Sequence, residues 1–224
     1  MEVNLHFNKS RSRYISASSK ILMIILCFVS FYVSSQEKED YIKKLQNTSL
    51  RINPEGRYAQ FTIKIEKDNQ EIEKYEGEII VLKDFRTKNT KNNTLSVKEE
   101  AILKMTLDVT KEPFFLLKEN KELSLFNKRK IDDNSWIFEA KTVQAKKFLK
   151  ILTEDTYSFS PKFDEKGNLT KINTKMTSTE YHHHNFDVFY QKNPLGIEIS
   201  NIKGFFLDTK TGRKAMIKIV FNTE

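Results

Sequence analysis

Residues 57–66 (RYAQFTIKIE) alternate without a break: Ala59, Phe61, Ile63 and Ile65 fall on one side, Gln60, Thr62, Lys64 and Glu66 on the other. Successive side chains of an extended chain point to opposite faces, so this pattern suits a strand with one face on a core and one in water. Such a strand leaves its backbone N–H and C=O groups unpaired until neighbours flank it, so the rest of the chain must supply a sheet. The polar turn Lys67-Asp68-Asn69-Gln70 and the extended run Ile72–Leu82 supply the first neighbour as a hairpin. Gly77 inside that run predicts a bulge.

The same grammar recurs to the end of the chain. Leu123 and Leu125, then Trp136, Phe138 and Ala140, alternate on either side of the turn Asp132-Asp133-Asn134-Ser135. Tyr157, Phe159 and Phe163 precede Asp164-Glu165-Lys166-Gly167-Asn168 and the run Leu169–Met176. Three more extended runs follow, Phe186–Gln191, Ile197–Leu207 and Ala215–Phe221, separated by Asn193-Pro194-Leu195-Gly196 and Asp208-Thr209-Lys210-Thr211-Gly212. These later turns combine Gly with Asn or Asp, residues that tolerate positive φ in tight connections.

Helical spacing is confined to short stretches. Residues 37–47 place Ile42 and Leu45 on one face, with acids leading and lysines following as the helix dipole prefers. Ala145, Phe148, Leu149 and Leu152 follow the i, i+3, i+4, i+7 spacing, which predicts a surface helix near 142–153. Residues 84–96 are polar and aperiodic and read as a surface loop or lid. The segment after them carries two signals. Ser96-Val97-Lys98-Glu99 matches a capping box that opens a helix, while Leu103, Met105, Leu107 and Val109 alternate as a strand does. The alternation, running on into Phe114–Leu117, tips the reading towards a strand.

The expected fold is mainly β (α+β): a single curved antiparallel sheet or half-barrel of about eight to ten strands, with two or three covering helices. A hydrophobic fraction of 38% with 17 Phe is enough for one core in 224 residues. The Phe residues either fill that core or line a lipid-sized cavity, and alternating strands look the same in both cases.

The N-terminus reads as a signal peptide. Lys9, Arg11, Arg13 and Lys20 precede the apolar run Ile21–Val33, and Val33 and Ser35 suit cleavage before Gln36. The run is short of the roughly 20 apolar residues that cross a bilayer, so no stable span is expected after cleavage. The predicted division is therefore a signal peptide at 1–35 and one antiparallel β domain at 36–224. Cleavage removes Cys27, the only cysteine, and with it any disulfide or thiol nucleophile. It also removes four basic residues and one acid, lowering the formal charge from +8 to +5. That balance, with no run of like charge, supports no nucleic-acid partner.

No motif carries chemistry. A Gly-x-Ser-x-Gly elbow, a Gly-rich phosphate loop and a His-Glu-x-x-His pair are all missing from the sequence. His182-His183-His184 is the most unusual local feature; in a strand His182 and His184 share a face, with Tyr181 and Asp187 nearby. Metal sites need about three or four ligands, so the run reads instead as solvated histidines at a strand end. The acid pairs Asp132-Asp133 and Glu154-Asp155 read as solvated turn and helix-end residues rather than as a catalytic dyad. No catalytic, cofactor-binding or metal-binding residue, and no cofactor, is expected.

A signal segment, a short amphipathic helix, the strands at 57–66 and 72–82, the helix near 142–153 and the closing strands together resemble the layout of periplasmic lipoprotein carriers. The Lys- and Asn-rich style and a signal ending Ser-Ser-Gln also resemble secreted proteins of the Bacteroidetes group. The first resemblance implies a half-barrel that holds acyl chains under helices. The expected function is accordingly that of an exported cell-envelope protein, periplasmic or extracellular and not an enzyme. It would bind a hydrophobic ligand or lipidated partner in a curved sheet. The alternative is a structural or interaction module that meets another envelope protein through its sheet surface or edge strand.

Overall fold

Ten antiparallel strands form one open sheet in the order β3-β2-β1-β10-β9-β8-β7-β6-β5-β4. The computed structural model describes residues 41–48, 50, 55–119, 122–178, 180, 182–194 and 196–222. The predicted signal peptide and the start of the predicted 37–47 helix lie outside them. Among the described residues no helix is long and apolar enough to cross a membrane.

Strand β1 (Arg57–Lys67) turns through Asp68 and Asn69, with φ of 53° and 63°, into β2 (Gln70–Val81). Two consecutive positive φ values are what a two-residue hairpin loop requires, and Asp and Asn accept them. Strand β3 (Thr87–Asn89) adds a short edge to β2. After helix α2 come β4 (Asn127–Asp132), β5 (Ser135–Glu139), β6 (Thr156–Phe163), β7 (Leu169–Thr177), β8 (His182–Asn193), β9 (Gly196–Asp208) and β10 (Lys214–Phe221). The last strand returns to the first, from Ala59 opposite Phe221 to Glu66 opposite Lys214. This long-range pairing joins the two hairpin groups into one sheet.

Among the described residues three helices accompany the sheet: α1 (41–46), α2 (Val97–Glu119) and α3 (Val143–Leu149). Ile42 and Leu45 of α1 are buried, as the sequence predicts. Thr142 caps α3 through its hydroxyl to the Ala145 N–H at 3.0 Å, and Lys150 ends it in the left-handed region. Helix α2 lies across β7 and β8. The face it covers carries the core, with Phe61, Ile63, Phe138, Phe159, Ile172, Phe186, Val188 and Ile219 essentially excluded from water.

The largest departure from the sequence reading is α2, where a strand was expected over 97–109. Its buried positions are Leu103, Thr106, Leu107, Thr110, Pro113, Phe114, Leu116 and Leu117, a helical stripe in which two core-facing residues are threonines. Their hydroxyls bond back to the carbonyls four residues earlier, Thr106 to Ile102 at 2.8 Å and Thr110 to Thr106 at 2.7 Å, so burial leaves no donor unmet. The capping box does form: the Ser96 N–H reaches the Glu99 carboxylate at 2.8 Å and the Glu99 N–H reaches Ser96 Oγ at 3.3 Å.

Three smaller corrections follow. Leu123–Leu125 is a 3₁₀ turn rather than strand. The 84–96 segment is pinned, contributing β3 and placing the Asn93 side chain on the β2 carbonyl of Glu78 at 3.0 Å. Gly77 makes no bulge: it pairs with Phe61, and the register shift falls at Ile65/Glu66. A Cβ at Gly77 would lie 2.3 Å from Asn93 Nδ2, so the glycine clears space for that side chain.

Candidate functional site

The register of the sheet sets one row of side chains across its covered face: Glu73, Ile65, Ala215, Phe206, His184, Met176 and Tyr157. The first turns of α2 pass over the β1 end of this row. Lys98, Ile102 and Met105 are spaced to share one side of that helix. Between them and the strand ends lies a groove of about 490 Å³. Its walls are Ile65, Ile102, Met105, Phe206 and Ala215. Its rim carries Lys98, Glu180, His182, Asp208, Lys210 and Arg213. Deeper under α2 the face is packed, so the phenylalanines there mainly fill the core.

The rim is tied to the fold. Lys98 and the Tyr75 hydroxyl both donate to the Glu73 carboxylate, which fastens the first turn of α2 to β2 and holds that carboxyl below its usual range. Asp208 accepts from the Lys210 N–H at 2.8 Å and the Thr211 N–H at 3.1 Å; bonds from Thr211 and Lys210 hold its carboxyl low as well. Both acids are thus engaged by neighbours within the fold.

The histidine run sits at the inner end of the groove. His182 and His184 do share a face, with ring centroids 5.9 Å apart, and Phe206 stands edge-on to both at 5.1 and 6.1 Å. His183 faces the other way, its Nε2 lying 2.9 Å from the Ser178 carbonyl. Tyr181 lies outside the described residues, and Asp187 is on the opposite face, bonded to Asn173 and Lys171. Among the described residues no group of three His, Cys, Asp or Glu side chains forms that could hold a metal. The expectation of solvated histidines fails for His184. It is 2% exposed, and neither ring nitrogen has a hydrogen-bond partner among the described residues.

Burial, and secondarily the neighbouring His182, lower the His184 pKa to about 3. An unfolded histidine titrates near ~6.5, so between these values only the unfolded chain takes the proton. The resulting loss of stability is absent above pH ~6.5 and grows below it, reaching about 2 kcal/mol at pH 5. His182, lowered by burial, acts in the same direction, while Glu112, raised by burial, acts in the opposite one. Urea unfolding at pH 7 and pH 5 should show that His184→Gln removes most of this acid-dependent drop. An equal drop in wild type and variant would rule the account out.

The acid pairs divide. Asp133 is exposed and pairs with Lys130, and Asp132 caps the β4–β5 turn through the Asn134 N–H at 2.9 Å. Asp155, contrary to expectation, is fully buried and accepts from the Leu152 N–H at 3.0 Å, closing the turn after α3.

On the uncovered face a dent of about 460 Å³ is bounded by Lys64, Lys203, Phe205, Met216 and Lys218. Lysine ammonium groups lie over aromatic rings of this face, Lys214 4.6 Å from Phe205 and Lys203 5.0 Å from Phe189, as on a solvated sheet surface. The apolar groove is the better site. Reading the sequence alone misses Ile102 and Met105, because the strand assignment puts them on opposite faces; the capping box was the signal that could have found them. Compared with family models, curated proteins and solved structures, the chain matches none.

Proposed function

We propose that this chain is an exported, non-enzymatic envelope protein that binds the apolar part of a lipid or of a lipid-modified partner in the groove between α2 and the sheet. The observation that carries this reading is the groove itself. Its walls are apolar, its size is within the ~300–1,000 Å³ of small-molecule sites, and its charges stand at the rim where a ligand would meet water. Met105, half-exposed on the lip, is the kind of flexible, polarizable residue that adapts to varied alkyl shapes. The reading is tested by native mass spectrometry of the purified protein, which should carry one lipid-sized adduct that the Met105→Glu variant lacks.

The interaction-module reading has one observation in its favour: Phe115, Phe148 and Val143 leave large apolar side chains exposed on α2 and α3. Pairing through a sheet edge is disfavoured. Strand β3 is only three residues long, and β4 (NKRKID) is exposed throughout and basic, both of which deter the addition of a further strand.

A further inference from the structure

We infer that the dent on the uncovered face is a second binding site, for an acidic saccharide whose carboxylate lies between Lys203 and Lys218 and whose ring rests on Phe205. The register builds the site from two adjacent rows of side chains. Lys218, Lys203, Asp187 and Asn173 stand side by side in one, and Met216, Phe205 and Asn185 in the next. The space they line, about 460 Å³, is within the ~300–1,000 Å³ of small-molecule sites. Phe205 and the groove residue Phe206 are successive residues of β9 and point to opposite faces, so this site is separate from the groove and does not rest on it.

Charge complementarity selects the acid. Lys203 and Lys218 are direct cross-strand partners, a placement that destabilises a sheet when the two charges are alike. The other charged walls are already neutralised, Lys64 by Glu71 at 2.9 Å and Asp187 by Lys171 at 2.9 Å. Lys203 and Lys218 join no ion pair among the described residues, and the Lys203 ammonium lies over the Phe189 ring instead. A carboxylate between the two ammonium groups replaces their repulsion with two charge-assisted hydrogen bonds. The floor selects the sugar. Phe205 and Met216 are half-buried apolar side chains on an otherwise polar face, a surface that suits the C–H side of a sugar ring. Beside them the Asn173 amide donates to Asn185 Oδ1 at 2.7 Å and Asp187 Oδ1 at 2.9 Å, which leaves the Asn185 NH₂ group to donate to a sugar hydroxyl. The positive charge is a spot and not a track, because Asp187 follows Lys203 at one end of the row and Glu76 stands beyond Thr62 at the other. A nucleic-acid strand needs a continuous basic path, so the sugar acid is the better fit.

The test is calorimetric titration of the purified protein with tetragalacturonic acid, with its methyl ester and with a thymidylate tetranucleotide, at neutral pH and low ionic strength. The wild type should bind the acid about tenfold more tightly than the uncharged ester. The double variant Lys203→Gln/Lys218→Gln should bind the acid only as well as the ester and leave the ester within about twofold. It should do so with no loss of Tm, because a like-charge pair has been removed. Phe205→Leu, which keeps the bulk and removes the ring, should weaken both sugars about fivefold. No binding of the acid by the wild type, equal binding of acid and ester, or acid binding unchanged in the double variant overturns the site. A tetranucleotide bound more tightly than the acid overturns the saccharide as its ligand.

Discussion

Replacing Arg57 by leucine is expected to lower stability by about 3–5 kcal/mol, the range found when one member of a buried ion pair is removed. Arg57 and Glu198 have side chains only 6% and 5% exposed, with 3.8 Å between Nη1 and Oε2. The guanidinium also donates to the Ile199 carbonyl at 2.7 Å and the Asn222 carbonyl at 2.8 Å, and sits 5.1 Å from the centre of the Phe221 ring. One side chain thus ties the start of β1 to β9 and to the end of β10, the seam where the sheet's two halves join. Removing it strands a carboxylate whose other partner is the Gln191 side-chain amide at 2.5 Å. The double variant Arg57→Leu/Glu198→Leu should be more stable than Arg57→Leu alone, since it no longer buries a lone charge. Denaturant unfolding of the two variants decides this, and equal losses would mean the pair is not the source of the effect.

Gly204→Ala should be nearly as damaging. A Cβ there would lie 2.1 Å from the Asn185 carbonyl oxygen and 2.7 Å from Phe186 Cα, both backbone atoms of β8. Rotamer changes cannot relieve such contacts, so β8 and β9 must separate at the centre of the sheet. A loss of about 3 kcal/mol, at the top of the overpacking range, corresponds to a Tm lower by roughly 6–12 °C. Gly212→Ala is the control: its φ is +68° but nothing lies within 4 Å of the added carbon, so only backbone strain of about 1–2 kcal/mol is added. Similar Tm losses for the two would show that close approach of backbone is not what Gly204 serves.

The fold was legible wherever periodicity and turn chemistry agreed. Residues 59–66 announce β1 because every inward position is apolar and every outward one polar, and Asp68-Asn69 announce their own turn. Helix α2 was not legible, because Thr106, Thr110 and Pro113 interrupt the apolar stripe of its buried face, while Leu103, Met105, Leu107 and Val109 happen to alternate. Strand β3 is too short to show a period at all. The return of β10 to β1 is a long-range pairing that no local window contains. The candidate site inherits these gaps. Its walls come from α2 and from strand ends far apart in the chain, and His184 owes its burial to what packs on it. Gly204 gave no signal within the run Ile197–Leu207, since its role is set by a neighbouring strand.

The central claim is that the groove under Lys98, Ile102 and Met105 holds an alkyl chain, and the native mass of the protein purified from the cells that make it tests this most directly. A single adduct of lipid mass, recovered by solvent extraction and absent from Met105→Glu, is the predicted result. A bare protein that also takes up none of an added excess of decan-1-ol would contradict the account and turn attention to the exposed Phe115 and Phe148 surface.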